Sequence, residues 1–134
     1  MKISIDNALG VMPHALSLRS QRTSVLANNI ANADTPGFKA RDIDFRTALQ
    51  QRTQMVDAQS SAPMRTHPDH LHIVDHTSRA ELKYRNPLMP ALDGNSVDTQ
   101  LEQAAFAENS TQFLTTLRML NGRITGLMSA IKGE

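Results

Sequence analysis

The side chains best suited to metal chemistry are histidines. Four of the five lie between residues 67 and 76, where Asp69 and Asp75 accompany them. Imidazole and carboxylate groups this close together can chelate zinc or nickel. Pro68, however, breaks the i, i+4 spacing that a helix would give to two ligands, and the order of these residues matches no ligand signature. We therefore favour a polar loop and predict no metal site; a His-rich metal-binding protein stays as an alternative.

Patterns for catalysis are missing elsewhere in the sequence. Serines and aspartates are plentiful, but no serine stands in a G-x-S-x-G elbow or an equivalent context. No glycine-rich loop of the kind that cradles phosphate is present. The absence of cysteine excludes a thiol nucleophile, a cysteine-based zinc site and a disulfide framework. We predict that the protein is not an enzyme and uses no cofactor.

Charge and composition argue against two further classes of binding protein. The net charge is +1, and aromatic residues make up only 4% of the 134 residues, so stacking partners for single-stranded nucleic acid are scarce. The first twenty residues carry an acidic side chain at Asp6, and polar residues interrupt every apolar run. This pattern fits neither a cleaved signal peptide nor a membrane span. We predict no nucleic-acid binding, no membrane insertion and no cleaved signal.

Proline and glycine positions indicate how the chain is organised. Residues 14–33 and 95–121 contain neither residue type, whereas four of the six prolines fall between residues 53 and 94. The predicted fold is mainly α, with long N- and C-terminal helices paired as a coiled-coil-like hairpin around an irregular middle. The predicted segments are residues 1–46, 47–94 and 95–134.

The middle segment is interpreted as loop with short extended pieces. Two stretches resemble strands, residues 71–74 and 80–85, and the second alternates apolar with charged side chains. They could pair as a short β-hairpin.

The N-terminal helix is predicted from about Asp6 or Asn7 to Ala33. Gly10 and Pro13 weaken its first turns, so either a kink near Met12 or a start with Pro13 in the first turn is expected. Alternating steps of three and four residues place one stripe on this helix, which is typical of a coiled-coil seam. The stripe comprises Leu9, Met12, Leu16, Arg19, Thr23, Leu26, Ile30 and Ala33.

The C-terminal helix is predicted over residues 97–131, with Ser96 as its N-cap. Such a helix would be about 50 Å long, which is too long for a compact domain of this size. Gly122 and Gly126 share one face, where another backbone could approach closely; a helix that frays after Asn121 is the alternative. Its stripe comprises Phe113, Leu117, Leu120, Ile124, Leu127 and Ile131.

An asparagine-rich string ends the first helix. Residues 27–41 read ANNIANADTPGFKAR, so that three carboxamides and small alanines precede a Thr-Pro-Gly turn. Asparagine is only a middling helix former, but its amide group can tie helix ends to neighbouring backbones. An ordinary polar C-cap with Pro36-Gly37 as stop signal explains the turn but not the repeated asparagine.

This string resembles the N-terminal signature of the bacterial flagellar axial proteins of the rod and hook. In that family an Ala-Asn-x-Ile-Ala-Asn stretch ends a long helix and leads into a Thr-x-Gly-aromatic turn. The resemblance extends through residues 39–45, 92–98 and Phe106-x-x-Asn109, and it covers roughly residues 5–50 and 85–131. Phe38 stands where the family often has tyrosine, and Ser96 stands where threonine is usual.

The resemblance implies a structural subunit of the proximal rod that assembles with other axial proteins into the helical drive shaft transmitting motor torque. Its implied partners are other copies of itself, other rod proteins, a junction protein between the rod and the membrane ring or that ring itself, and the flagellar type III export apparatus. The implied location is the flagellar basal body, in the rod that spans the periplasm. A soluble coiled-coil adaptor or chaperone is a further alternative.

Resemblance and stripes together predict the residues of the subunit interfaces. They are Leu16, Leu26, Asn28, Asn29, Ile30, Asn32, Thr35, Pro36, Gly37, Phe38, Phe106, Asn109, Phe113, Leu117, Leu120, Ile124 and Leu127.

Overall fold

The computed structural model describes residues 8–59, 80–86 and 91–133. Along the chain these form α1 (Met12–Ala31), β1 (Arg41–Ile43), α2 (Phe45–Gln59), β2 (Leu82–Tyr84) and α3 (Thr99–Lys132). The mainly α fold predicted from the sequence, with long terminal helices and a small sheet in the middle, is confirmed.

Helices α1 and α3 pack against each other in antiparallel fashion. Asn29, near the end of α1, contacts Glu102 in the first turn of α3, whereas Arg19 and Thr23 meet Asn109 further along. Apolar burial between the elements is thin, and Leu18 and Leu26 are the largest buried apolar side chains of the described residues. Polar contacts must therefore supply much of what holds the helices in register.

The buried face of α1 is rotated slightly from the predicted stripe. Ala15, Leu18, Leu26 and Asn29 are buried, whereas Leu16 is only half-buried. The apolar stripe predicted the packed face of the helix approximately, but most of the buried residues precede the predicted stripe residues by one position. One of them is Asn29, which a stripe of apolar residues could not include.

Helix α1 begins at Met12 with Pro13 in its first turn, which is one of the two predicted starts. Proline suits that place because its missing N–H would have no intrahelical partner. The helix ends at Ala31; the amide of the C-cap residue Asn32 donates to the carbonyls of Asn28 and Asn29, and the Ala33 amide donates to the Ile30 carbonyl. At Gly37 the turn requires φ of 71°, a conformation that side chains with a Cβ rarely adopt.

Helix α3 runs for 34 residues, about 50 Å, and continues past Asn121 to Lys132, so the alternative of a frayed end is wrong. Its N-cap is Asp98, whose carboxylate accepts hydrogen bonds from the Gln100 and Leu101 amides. The prediction of Ser96 as N-cap was wrong because that hydroxyl accepts a bond from the Ala40 amide instead, at 2.8 Å.

The middle segment contains more regular structure than predicted. A loop was expected from residue 47, but α2 occupies residues 45–59; Asp44 caps it by accepting bonds from the Thr47 amide and hydroxyl at 3.2 and 2.9 Å. The predicted loop is therefore wrong for residues 47–59, where polar composition concealed a capped helix.

The small sheet joins strands that are distant in sequence. β2 falls inside the strand-like stretch predicted at residues 80–85, but it pairs antiparallel with β1, with Ile43 opposite Leu82. Residues 71–74, the other half of the predicted hairpin, and the histidine cluster at 67–76 lie outside the described residues.

Candidate functional site

The asparagine-rich end of α1 binds the strand that follows it. Asn29 is 1% exposed, and its Nδ2 donates to the Arg41 carbonyl at 2.7 Å while its Oδ1 accepts from the Arg41 amide at 3.2 Å. One carboxamide thus satisfies both backbone groups of a β1 residue, as a neighbouring strand would. Asparagine at this position fixes the direction in which the chain leaves the helix.

Four charged side chains cross between the elements here, and we call them the charge clasp: Arg22, Asp42, Arg85 and Glu102. Arg22 binds Asp42 through Nε and Nη2, both at 2.9 Å. Arg85 reaches the same carboxylate through Nη2 and Glu102 through Nη1, the latter at 2.7 Å. The clasp thereby links α1, β1, the end of β2 and α3.

Glu102 is the most buried member of the charge clasp, with 1% exposure. Its second oxygen accepts from Asn29 Nδ2 at 3.0 Å, so each oxygen has a donor. A buried carboxylate is tolerated only when paired and hydrogen-bonded in this way. The planar guanidinium of Arg85 can serve two carboxylates at once, which a lysine cannot do in the same geometry.

Two members of the charge clasp, Asp42 and Arg22, have pKa values shifted in the direction that favours their ionised forms. Burial alone would raise the pKa of Asp42, but hydrogen bonds from Arg22, the Ile43 amide and Arg85 together with the Arg22 charge hold it below its ordinary value. The hydrogen bond to Asp42 raises the pKa of Arg22. A depressed carboxyl pKa means that this contact stabilises the fold at neutral pH and that the contribution is lost as the pH falls through that pKa.

A second set of contacts, which we call the turn latch, joins residues 91–96 to the turn after α1. Asn95 is 5% exposed, and its Nδ2 points at the carbonyls of Asn32, Ala33 and Thr35, the closest at 2.6 Å. The Gly37 amide donates to the Asp93 carbonyl at 2.9 Å. One carboxamide therefore satisfies the Ala33 carbonyl and lies within hydrogen-bond distance of two further carbonyls in the turn after α1.

Asn109 is a third asparagine whose side chain joins two elements, here α3 to the middle of α1. It is fully buried, and its Nδ2 donates to the Arg19 carbonyl at 3.0 Å and to the Thr23 hydroxyl at 2.9 Å. Among the described residues its Oδ1 has no hydrogen-bond partner. The guanidinium of Arg19 lies over the Phe45 ring at 4.2 Å, which ties α2 to the same place.

The predicted interface residues differ widely in exposure. Leu26, Asn29 and Asn109 are buried inside the chain, so their contacts fix the subunit itself, and a role between subunits stays a prediction. The half-buried members are Leu16, Ile30, Asn32, Phe38, Phe106, Phe113, Leu117 and Leu120, and the exposed ones are Asn28, Thr35, Pro36, Gly37, Ile124 and Leu127.

Three of these residues, Asn28, Asn29 and Phe38, line an open groove of about 360 Å³. The groove is also bordered by Ser24, Val25, Arg41 and Leu82. The groove lies between the last turns of α1 and the small sheet, and it presents both apolar surface and a free face of the asparagine-rich string.

Sequence reasoning missed the charge clasp and Asn95. One signal was available for Glu102: steps of three and four residues taken backwards from Phe113 reach Asn109, Phe106 and then Glu102. A carboxylate on an otherwise apolar stripe predicts a buried partner of opposite charge. No such signal pointed to Arg85, because charged residues alternate with apolar ones in the strand-like stretch 80–85 and such a pattern is typical of a solvent-facing side.

The last third of α3 contrasts with the rest of the helix. Every side chain from residue 121 to 133 is exposed, including Ile124, Leu127, Met128 and Ile131. A Cβ added at Gly122 or Gly126 would meet nothing within 4 Å. We call residues 121–133 the tip; Arg123 Nη1 donates there to the carbonyls of Ala8 and Leu9, at 3.3 and 3.4 Å, while the apolar side chains are exposed.

The described residues offer little for other chemistry. Within residues 8–59, 80–86 and 91–133, no three His, Asp or Glu side chains come together as metal ligands. In the same ranges, none of the helices is both long and apolar enough to traverse a bilayer.

Comparison with known proteins places these features in context. Residues 13–39 match the family model described as flagella basal body rod protein. The chain is 44% identical over its whole length to the flagellar basal body rod protein FlgB of Aeromonas hydrophila, with 99% of that protein covered. It is 46% identical to FlgB of Cereibacter sphaeroides, covering 94% of each chain, and 44% identical to FlgB of Escherichia coli K12, covering 96% of this chain and 95% of that one.

Proposed function

Because the chain belongs to the FlgB family of flagellar basal body rod proteins, we propose that it builds the proximal part of the rod and transmits motor torque along it. Its place is the flagellar basal body, where it serves as a structural rod subunit. We propose no catalytic role, since the arrangement of the described side chains is explained by holding helices together.

The observation that carries the proposal is the exposed tip of α3. Four large apolar side chains on it, Ile124, Leu127, Met128 and Ile131, are between 38% and 85% exposed. Each Å² of this apolar surface that a neighbouring subunit covers would stabilise the assembly by about 25 cal/mol. Such a helix is favourable in an assembly and unfavourable in an isolated protein, which is what a rod subunit requires.

Torque transmission is supported by the polar contacts at the other end of the helix pair. Each of Asn29, Asn95 and Asn109 has a fixed set of directional partners, and the charge clasp crosses between helices and sheet. Directional hydrogen bonds resist sliding and rotation of one helix against another more than apolar contacts do. The subunit can therefore pass a twisting load between α1 and α3 without losing register.

The partners follow in part from the family. As a basal body rod protein the chain associates with other components of the flagellar rod. We propose that these include further copies of the chain, a junction protein between the rod and the membrane ring or the ring itself, and the flagellar type III export apparatus during secretion. The exposed predicted interface residues, above all Asn28, Thr35, Ile124 and Leu127, would meet the rod neighbours.

The proposal is tested by placing a charge on the tip. Leu127→Asp should leave the helicity and unfolding of the purified chain nearly unchanged, because the side chain is exposed, while rod incorporation and motility are lost. Thr125→Asp is the matched control: it adds the same charge about half a turn away, on the polar side of the same helix. Electron cryomicroscopy of isolated basal bodies reads incorporation; normal rods with Leu127→Asp would refute an assembly role for this face.

A further inference from the structure

Four hydroxyl side chains in the middle of α3 bond back into the helix. Each donates to the carbonyl four residues before it, at 2.8–3.1 Å. We call residues 110–116, which contain them, the hydroxyl segment. They are Ser110, Thr111, Thr115 and Thr116. Among the described residues, bonds of this kind occur singly in α1 and α2, at Thr23 and Thr53, whereas α3 carries a group of four.

Such bonds make a helix easier to bend. The carbonyl that accepts the hydroxyl also accepts the amide of the same residue within the helix, so it keeps a partner when the amide bond lengthens on one side. Serine and threonine are also weaker helix formers than alanine, and the branched threonine crowds the preceding turn. Bending is therefore less costly in the hydroxyl segment than in the turns of α3 that precede it.

The hydroxyl segment separates a part of α3 that is held from a part that is not. Before it, Glu102 and Asn109 are buried and bonded to α1. After it, every side chain of the tip is exposed. The polar contacts of the tip are those of Arg123 with the carbonyls of Ala8 and Leu9, which are long and exposed and therefore weak.

We propose that α3 bends at the hydroxyl segment, so that the tip changes direction against a neighbouring subunit while the first turns of the helix stay fixed. Arg19 of α1 binds Gln112 inside the segment. The bend thus falls where polar contact between the two helices gives way to half-buried and then exposed apolar side chains. The inference rests on the proposed function and adds to it the means by which the tip adapts to a neighbour.

Spin labels measure the bend, and the absence of native cysteine allows them to be placed at two chosen positions. Gln103→Cys lies in the first turns of α3 and Ala130→Cys lies in the tip; both positions are exposed. A straight helix separates the two labelled positions by about 40 Å. Distance measurements by electron paramagnetic resonance on the purified chain should give a broad distribution that extends to shorter distances.

Removing the hydroxyls tests their part in the bend. Thr111→Val, Thr115→Val and Thr116→Val together keep the shape and branching of each side chain and delete the donor. We expect the distribution to narrow by about half and its mean to move towards about 40 Å. Thr125→Val is the matched control and should change nothing, because this threonine of α3 has no such bond among the described residues. Circular dichroism verifies that the variants are equally helical.

The same triple variant, without labels, should lose incorporation into rods in isolated basal bodies, because its tip changes direction less readily. An unchanged distance distribution, or equal narrowing with Thr125→Val, overturns the bend. Normal incorporation of a triple variant whose distribution has narrowed overturns its use in assembly. If incorporation still depends on Leu127 in either case, the structural role stands and only the bend is wrong.

Discussion

The two ends of α3 use opposite means of stabilisation. At its first turns the helix is held by the charge clasp and the turn latch, through buried side chains such as Glu102 and Asn95. At the tip the helix is held by its own backbone bonds and by Arg123, which donates to the carbonyls of Ala8 and Leu9, and its apolar side chains are exposed. The specific polar contacts at the first turns hold that part of the chain in shape without a neighbour. The exposed apolar surface of the tip is buried only when another subunit packs against it.

The largest loss of stability among these substitutions is expected from Arg85→Ala, at the polar end of α3. The substitution removes the cation from Glu102 while the carboxylate stays buried, and we expect the free energy of unfolding to fall by about 3 kcal/mol. Urea unfolding of the purified chain measures it. Lys83→Ala is the control: its pair with Asp44, at 3.2 Å, is exposed, so the loss of stability is expected to be several times smaller than for Arg85→Ala. Equal effects of the two substitutions would contradict a special role for the clasp.

A smaller effect is expected from Asp42→Asn, and it should depend on pH. At pH 7 the free energy of unfolding of the variant should be about 2 kcal/mol lower than that of the wild type, because Arg22 and Arg85 lose the carboxylate that they bind. Since the pKa of Asp42 is depressed in the folded chain, the wild type loses this advantage as the pH drops below about 4. The difference in free energy of unfolding between wild type and variant should therefore be constant above about pH 4 and shrink as the pH falls further. A difference that stays constant throughout would show that the carboxylate charge is not what matters.

The smallest effect on stability belongs to the tip. Gly126→Ala should increase the free energy of unfolding of the isolated chain by about 0.5–1 kcal/mol, because alanine favours helix more than glycine does. The added methyl group has nothing within 4 Å that it could clash with. In the rod the same methyl group should hinder a neighbouring backbone and impair incorporation. Full motility with Gly126→Ala would mean that no backbone approaches this face. Gly133→Ala, at φ of 77°, provides the comparison in which alanine costs stability.

The sequence allowed the helices to be predicted better than the contacts between them. Steps of three and four residues identify α1 and α3 because apolar periodicity is a local property, and the Thr-Pro-Gly turn follows from the conformational limits of its residues. Asn29 could be recognised as unusual, but not as a partner of Arg41 and Glu102, because those contacts join residues far apart in the chain. Helix α2 was missed because most of its residues are polar, so the segment was interpreted as loop.

The antiparallel pairing of β1 with β2 also indicates where extra residues can be inserted into the subunit. The chain leaves the axial helices through Ile43 and returns beside it at Leu82. Since these two points are neighbours, adding residues to the stretch between them lengthens a loop that the strand pair already closes, at a cost that grows only with the logarithm of loop length. An epitope, a fluorophore or a whole folded insert after α2 is therefore best tolerated when its own ends lie close together.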